Sequence, residues 1–263
     1  LARLATVAAP TSALNELQAL ARVNLTKWLV ERVRGEDAVA VSDHIDVSFL
    51  YRAGRDVEIE AAIVRAQALQ LVGRREEARD VALAAWDSHG FDDTVPDSAQ
   101  TALCAEMAAI FGGLHGSEAV VQLLEPRLAL VEQAFGPTDV RYLGFAEQLA
   151  NHLAQLGRAA EAVLLLEQCL ETRRAQPDEE ATGWCETLLR NAAEALGDNP
   201  RALEIATRQL ALHEEAHGPT YWAAVFDLRT IARLTQAADP TAALATFQQV
   251  LQRQADAAQV GGG

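Results

Sequence analysis

Aromatic side chains are scarce in this sequence, at 5% of 263 residues, although half of the residues are hydrophobic. The apolar content is carried mainly by Ala, Leu and Val. That suits closely packed helices and argues against a sandwich of strands, whose pleated faces favour aromatic and β-branched residues. Cysteine is also rare. Cys104, Cys169 and Cys185 are odd in number and lack paired spacing, which excludes a disulfide framework. Each falls in a helical stretch, where a thiol serves as a small buried hydrophobe in a reducing compartment. Lys27 is the single lysine among 22 basic residues, a bias common in proteins from GC-rich bacterial genomes.

Positive charge is in deficit. Against 37 acidic residues the net charge is −15, and such a field repels phosphate backbones and anionic membranes, so nucleic acid and membrane surfaces are excluded as partners. The densest basic groups, Arg74 with Arg75 and Arg173 with Arg174, have carboxylates close by and read as solvated helix faces. No apolar run approaches the ~20 residues that a membrane helix needs. The opening LARLATVAAPTSA, starting at Leu1, is too short and too weakly apolar for a signal peptide. These features give the expectation of a cytoplasmic chain that is a piece of something longer, with Gly261, Gly262 and Gly263 as linker.

What the sequence does have is internal repetition. Residues 69–78 read LQLVGRREEA and residues 153–162 read LAQLGRAAEA, so Gly73 and Gly157 each introduce Arg, two variable residues, Glu and Ala. Related turns fall at Gly116, at Gly197-Asp198-Asn199-Pro200 and at Ala238-Asp239-Pro240, which sets a period of roughly 40 residues. A second set of marks lies between them, at Gly136-Pro137-Thr138, Gln176-Pro177-Asp178 and Gly218-Pro219-Thr220. Gly-Pro stops one helix, and the Thr or Asp that follows can cap the next. The pattern is helix, tight turn, helix, Pro-marked turn, with apolar residues at helical spacing: Leu149, Leu153 and Leu156 on one helix, then Ala162, Leu165, Leu166, Cys169 and Leu170 on the next. Small Ala150 and Ala162 allow the pair to approach closely. One pair cannot cover its own apolar face, so neighbouring pairs must stack.

The stretch 136–177, GPTDVRYLGFAEQLANHLAQLGRAAEAVLLLEQCLETRRAQP, closely resembles the long-period tetratricopeptide repeats (TPRs) of kinesin light chains and of many bacterial signalling proteins. The resemblance implies an all-α, right-handed α-solenoid of about five helix-turn-helix repeats over residues 56–257. Its quality falls away at the unit around Gly116, which lacks the Arg, and at the last unit, which lacks the turn glycine. Residues 1–55 match poorly and are expected to form an N-terminal helical cap or degenerate repeat. Within them Ser12 is a candidate N-cap, Gly35 a stop, and His44–Tyr51 a short extended piece. Residues 258–263 are read as a tail.

One motif invites chemistry. His213-Glu214-Glu215-Ala216-His217 spells H-E-x-x-H, which on a helix puts two imidazoles on one face for zinc, with Glu214 to polarise a bound water. A zinc metallopeptidase is therefore a remote alternative. It would need a distant third ligand such as Asp227, and the segment occupies the polar tail of a repeat's second helix, so no metal is expected. His44, His89, His115 and His152 show no ligand or nucleophile spacing, and no Gly-rich phosphate loop occurs, so no cofactor is expected. Glu76 with Glu77, and Glu179 with Glu180, sit at helix starts, where negative charge suits the dipole.

If the resemblance holds, the first helices of successive repeats line a concave groove that binds a protein or peptide without catalysis. The candidate partner-binding residues are then Glu147, Gln148, Asn151 and Gln155 in one repeat, Trp184, Thr187 and Asn191 in the next, and Phe226, Arg229 and Arg233 in the last. Asn151 and Asn191 take equivalent places before Gly157 and Gly197, where amides can hold the backbone of an extended chain. Trp86 and Trp222 are expected to pack between helices. The acidic balance favours a neutral or basic partner over an acidic one. The alternative reading is a sensing or autoinhibitory region of a larger bacterial signalling protein, with an effector domain of the same parent chain, a kinase, NTPase or caspase-like protease, as its partner.

Overall fold

The computed structural model describes residues 12–50, 54–90, 94–114 and 116–260. Among them the regular structure is helical, without a strand. Two units are distinguished, residues 1–145 and 146–263.

The N-terminal unit holds α1 (Ser12–Glu31), α2 (Gly35–Ser42), α3 (Arg55–Leu71), α4 (Arg75–His89), α5 (Ser98–Leu114), α6 (Ser117–Leu124) and α7 (Leu128–Phe135), and it includes the start of α8 (Val140–Gln155). Pro126 has no N–H to give, and the short 3₁₀ turn Glu125–Arg127 that contains it separates α6 from α7. Val23, Leu50 and Val64 close one core cluster, and Ile59, Ala85 and Leu103 another, with Trp86 packed on the second. The C-terminal unit takes the rest of α8, then α9 (Ala159–Arg174), α10 (Glu179–Leu196), α11 (Asn199–His217), α12 (Trp222–Thr235) and α13 (Pro240–Val260). Leu149, Leu166, Leu188 and Leu228 are buried there, and Ala150 and Ala162 are fully so, as close pairing requires. Leu156, by contrast, stands out to water at its turn.

Three of the repeat turns share one hydrogen-bonded form. After Gly73, Gly157 and Gly197, all at positive φ, the next N–H reaches back to a helix carbonyl: Arg74 to Leu69, Arg158 to Leu153 and Asp198 to Ala193, each 2.9 Å. These bonds satisfy carbonyls orphaned at the helix end. The Arg after the glycine then pairs with the carboxylate three residues on, as in Arg74–Glu77 and Arg158–Glu161.

The same turn joins α1 to α2. Arg34 N–H donates to the Leu29 carbonyl at 2.9 Å and its side chain pairs with Asp37, but the glycine place is taken by Val33 at φ 57°. The glycine that marks the later turns is absent here, and Gly35 is the first residue of α2 rather than a stop. Ser12 is the first residue of α1, and the residue before it lies outside those described. The piece expected to be extended near His44 holds a 3₁₀ turn at Val47–Phe49; its end, Tyr51, lies outside the described residues, as do His115 and the terminal glycines.

Capping follows the carboxylates. Asp178 accepts from Ala181 N–H at the start of α10, and Asp198 does the same for Arg201 N–H at α11. Before α8 it is Asp139 that takes Arg141 N–H, and before α12 the capping place is Tyr221 without a side-chain cap, so the expectation for Thr220 does not hold.

Candidate partner-binding face

The second helices of the C-terminal unit, α9 and α11, pack against the first helices α8, α10 and α12, and polar side chains thread that packing. Glu147 on α8 is 4% exposed and receives Arg173 of α9 through Nε at 2.9 Å and Nη2 at 3.1 Å. Arg190 on α10 is 1% exposed and donates from Nη1 to Asp227 Oδ1 on α12 at 2.8 Å and to Gln209 Oε1 on α11 at 2.9 Å. The Gln209 amide in turn donates to the Gly183 carbonyl and to Thr187 Oγ. Burial pushes the Asp227 carboxyl up, while hydrogen bonds from His213 and Arg190 hold the carboxylate against that pressure. Arg190 Nε has no hydrogen-bond partner among the described residues, and the bonds of its Nη1 tie α10 to α11 and α12.

The H-E-x-x-H segment belongs to this network. His213 Nδ1 lies 2.7 Å from Asp227 Oδ2, so the carboxylate that could have been a third zinc ligand instead joins imidazole to guanidinium. His217 ends α11 with its ring 4.3 Å from that of Tyr221, and Glu214 pairs with Arg253. Among the described residues no three His, Cys, Asp or Glu side chains are gathered to hold a metal ion.

The ten residues expected at the groove divide into two groups. Glu147 and Thr187 are engaged inside the packing just described, so their side chains serve the scaffold. The others stand toward solvent to different degrees. Asn151 is half-buried and Asn191 exposed, and neither side-chain amide is bonded to another described residue. Gln148 is half-buried and Gln155 exposed. Trp184 is 58% exposed, Phe226 40%, and Trp222, which was expected to pack between helices, is 72% exposed. Trp222, Phe226, Arg229 and Arg233 follow at helical spacing on α12 and form one stripe. Arg229 and Arg190 each hold a guanidinium near the Phe226 ring, at 5.0 and 5.4 Å, and Arg233 pairs with Glu194 of α10. Trp86, as expected, packs in the N-terminal core, with Arg127 over its ring.

Sequence reasoning missed the buried ion pairs. The sequence places Arg173 on a solvated basic face, whereas only its neighbour Arg174 is exposed. The available signal was positional. Arg173 lies one helical turn beyond Cys169, on the apolar stripe of α9, and an arginine on a buried stripe needs a carboxylate.

No family model matches the sequence, and no curated protein sequence matches it. Solved structures do. A kinesin light chain-type protein of nearly identical TPR-like repeats from Podosopora anserina shares 20% identity with TM-score 0.68, over 78% of this chain and 98% of that one. BtubC (BKLC) from P. vanneervenii shares 15% at TM-score 0.62, over 93% of each chain. A Rap protein complexed with Competence and Sporulation Factor shares 11% at TM-score 0.55, over 90% of this chain and 77% of that one. At such identities the likeness defines the fold: this is an all-α protein of the TPR-like solenoid class.

Proposed function

We propose that the protein is an interaction module whose first-helix face in the C-terminal unit, the side expected to be a concave groove, binds an extended segment of a partner protein. The observation that carries the reading is the set of exposed aromatics Trp184, Trp222 and Phe226 on α10 and α12, in a chain with few aromatics at all. Exposed aromatic side chains are over-represented in interfaces. The side-chain amides of Asn151 and Asn191, unbonded among the described residues, supply donors and acceptors for a partner's backbone. That the protein acts by binding and not by catalysis is consistent with the scaffold-type solenoids that share its fold. The net charge of −15 favours a partner that is neutral or basic.

A second reading draws on the Rap complex among the structural neighbours, a TPR-like fold holding a named factor. In it, this chain is the sensing or autoinhibitory part of a larger bacterial signalling protein in the cytoplasm, and the occupant of the face is a regulatory segment or the chain's own effector domain.

The test uses peptides selected from a phage-displayed random library on the intact protein. Asn151→Ala with Asn191→Ala should weaken a selected peptide by about 1 kcal/mol or more per lost bond. Leu164→Ala and Leu212→Ala, exposed on the second helices α9 and α11, should leave it unchanged. The opposite pattern would move the site to the other face.

A further inference from the structure

Glu106 sits where a surface residue would be expected. On α5 the exposed positions Ala102, Ala109 and Gly113 form a stripe, and Glu106 falls on it between Ala102 and Ala109, yet Glu106 is only 8% exposed. Two glutamines of α3 contribute to its cover. Gln67 Nε2 donates to Oε2 at 2.9 Å and Gln70 Nε2 to Oε1 at 2.5 Å. No cation of the described residues pairs with it. A carboxylate offers about four lone-pair sites, so each oxygen can accept one further bond without displacing a glutamine.

The repeat shows what is missing. Glu106 stands before Gly116 as Glu147 stands before Gly157, and Glu147 has the guanidinium of Arg173 across both its oxygens. In the repeat that holds Glu106 the place corresponding to Arg173 is Glu132, exposed on α7 beyond the break at Pro126. No cation can come from there. The ground next to Glu106 is open: Ala109 and Gly113 present almost no side chain, a Cβ added at Gly113 would meet nothing within 4 Å, and a cavity of about 240 Å³, lined by Gln70, Arg75, Ala109, Ile110 and Gly113, borders Glu106 through Gln70, whose amide holds its Oε1. That volume admits a long unbranched side chain. Arg75 at its rim is exposed, so water and salt screen its repulsion.

We propose that Glu106, framed by Gln67 and Gln70, is the seat for an arginine side chain of the partner segment, whose guanidinium takes the two carboxylate oxygens as Arg173 takes those of Glu147. This rests on the proposed peptide-binding function and adds to it a second site, in the N-terminal unit, with a defined chemistry. Guanidinium is favoured over ammonium because its planar fork matches a carboxylate held from both sides.

The experiment selects random dodecapeptides displayed on phage against the intact protein and against Glu106→Gln, with folding checked by circular dichroism. Arginine should be enriched at one position in the first pool and not in the second. A selected peptide should lose about tenfold or more in affinity when that arginine is replaced by citrulline, its neutral isostere, and less when it is replaced by lysine. The citrulline comparison uses the unaltered protein, so it decides the matter even if Glu106→Gln misfolds. Selected peptides without an arginine preference, or ones that bind equally with citrulline, overturn this seat and leave the proposed function standing. A library that yields no binding peptide overturns both.

Discussion

The two units solve one problem differently. In each, a glutamate on a first helix is buried at the same place before the repeat turn. In the C-terminal unit Glu147 is answered by a charge, Arg173, itself 6% exposed; in the N-terminal unit Glu106 is answered by two neutral amides. The first arrangement is closed, since losing either partner strands the other. The second leaves a carboxylate that burial drives toward its neutral form, with its pKa raised above the ordinary glutamate value against the pull of Gln67 and Gln70. The repeat therefore tolerates a buried acid without requiring one way of satisfying it.

The largest effect should come from breaking the closed pair. Arg173→Met leaves Glu147 buried without its cation and is expected to cost about 3–5 kcal/mol in urea denaturation. Replacing both partners, as Arg173→Met with Glu147→Leu, should recover most of the loss, because an apolar pair needs no desolvation of charge. If Arg173→Met proves no more costly than Glu106→Gln, charge is not what separates the two places.

A smaller effect belongs to the turns. Val33 holds the backbone at φ 57°, where a β-branched residue meets steric cost of about 1–2 kcal/mol, while its counterparts Gly73, Gly157 and Gly197 meet none. Val33 is 75% exposed, so little packing is lost with its side chain. Val33→Gly should raise stability by about 0.5–1 kcal/mol after the extra entropy of glycine in the unfolded chain is counted. A lowered melting temperature would show that the turn between α1 and α2 is held by something other than the repeat geometry.

This turn also shows how far the sequence could be read. The glycine turns, the Pro-marked turns and the helix pairing were legible because they depend on local chemistry recurring at a fixed interval. The first turn was hidden because its Arg34 and Asp37 were present without the glycine that announces them. Trp184, Asn191, Phe226 and Arg229 were expected to face solvent from their places before the turns, and the structure finds them exposed. Glu147 and Thr187 were assigned to the same face, but one helical position of rotation separates solvent from core, and their partners Arg173 and Gln209 lie on other helices. Pairing across helices leaves no trace in the spacing along one chain.

The pH dependence of stability should distinguish the units further. Because the folded pKa of Glu106 is raised, its contribution is fully present below the ordinary glutamate pKa and is lost as pH rises through the folded value. Glu106→Gln removes that loss, so its melting temperature should fall less than the parent's across that range. A curve parallel to the parent's would mean that Glu106 is solvated when folded.

The smallest effect, and the one that tests whether the units behave as two, is at the cysteines. Burial pushes the Cys104 and Cys169 thiols up to about 12 and raises that of Cys185 as well, so almost no thiolate exists at pH 8 in the folded chain. Only the thiolate reacts with iodoacetamide, and all three sulfurs are buried, so labelling must wait for local opening. Under native conditions the three cysteines should therefore remain unmodified over hours, and the rate at each should report the opening of its own surroundings. In a chain of repeats, stability is carried largely between nearest neighbours. Arg173→Met should then speed labelling at Cys169 and Cys185, which share the C-terminal unit with the broken pair, and leave Cys104 in the N-terminal unit at its former rate. Equal acceleration at all three would show that the two units open together, and the contrast between their buried acids would become a difference within one cooperative body.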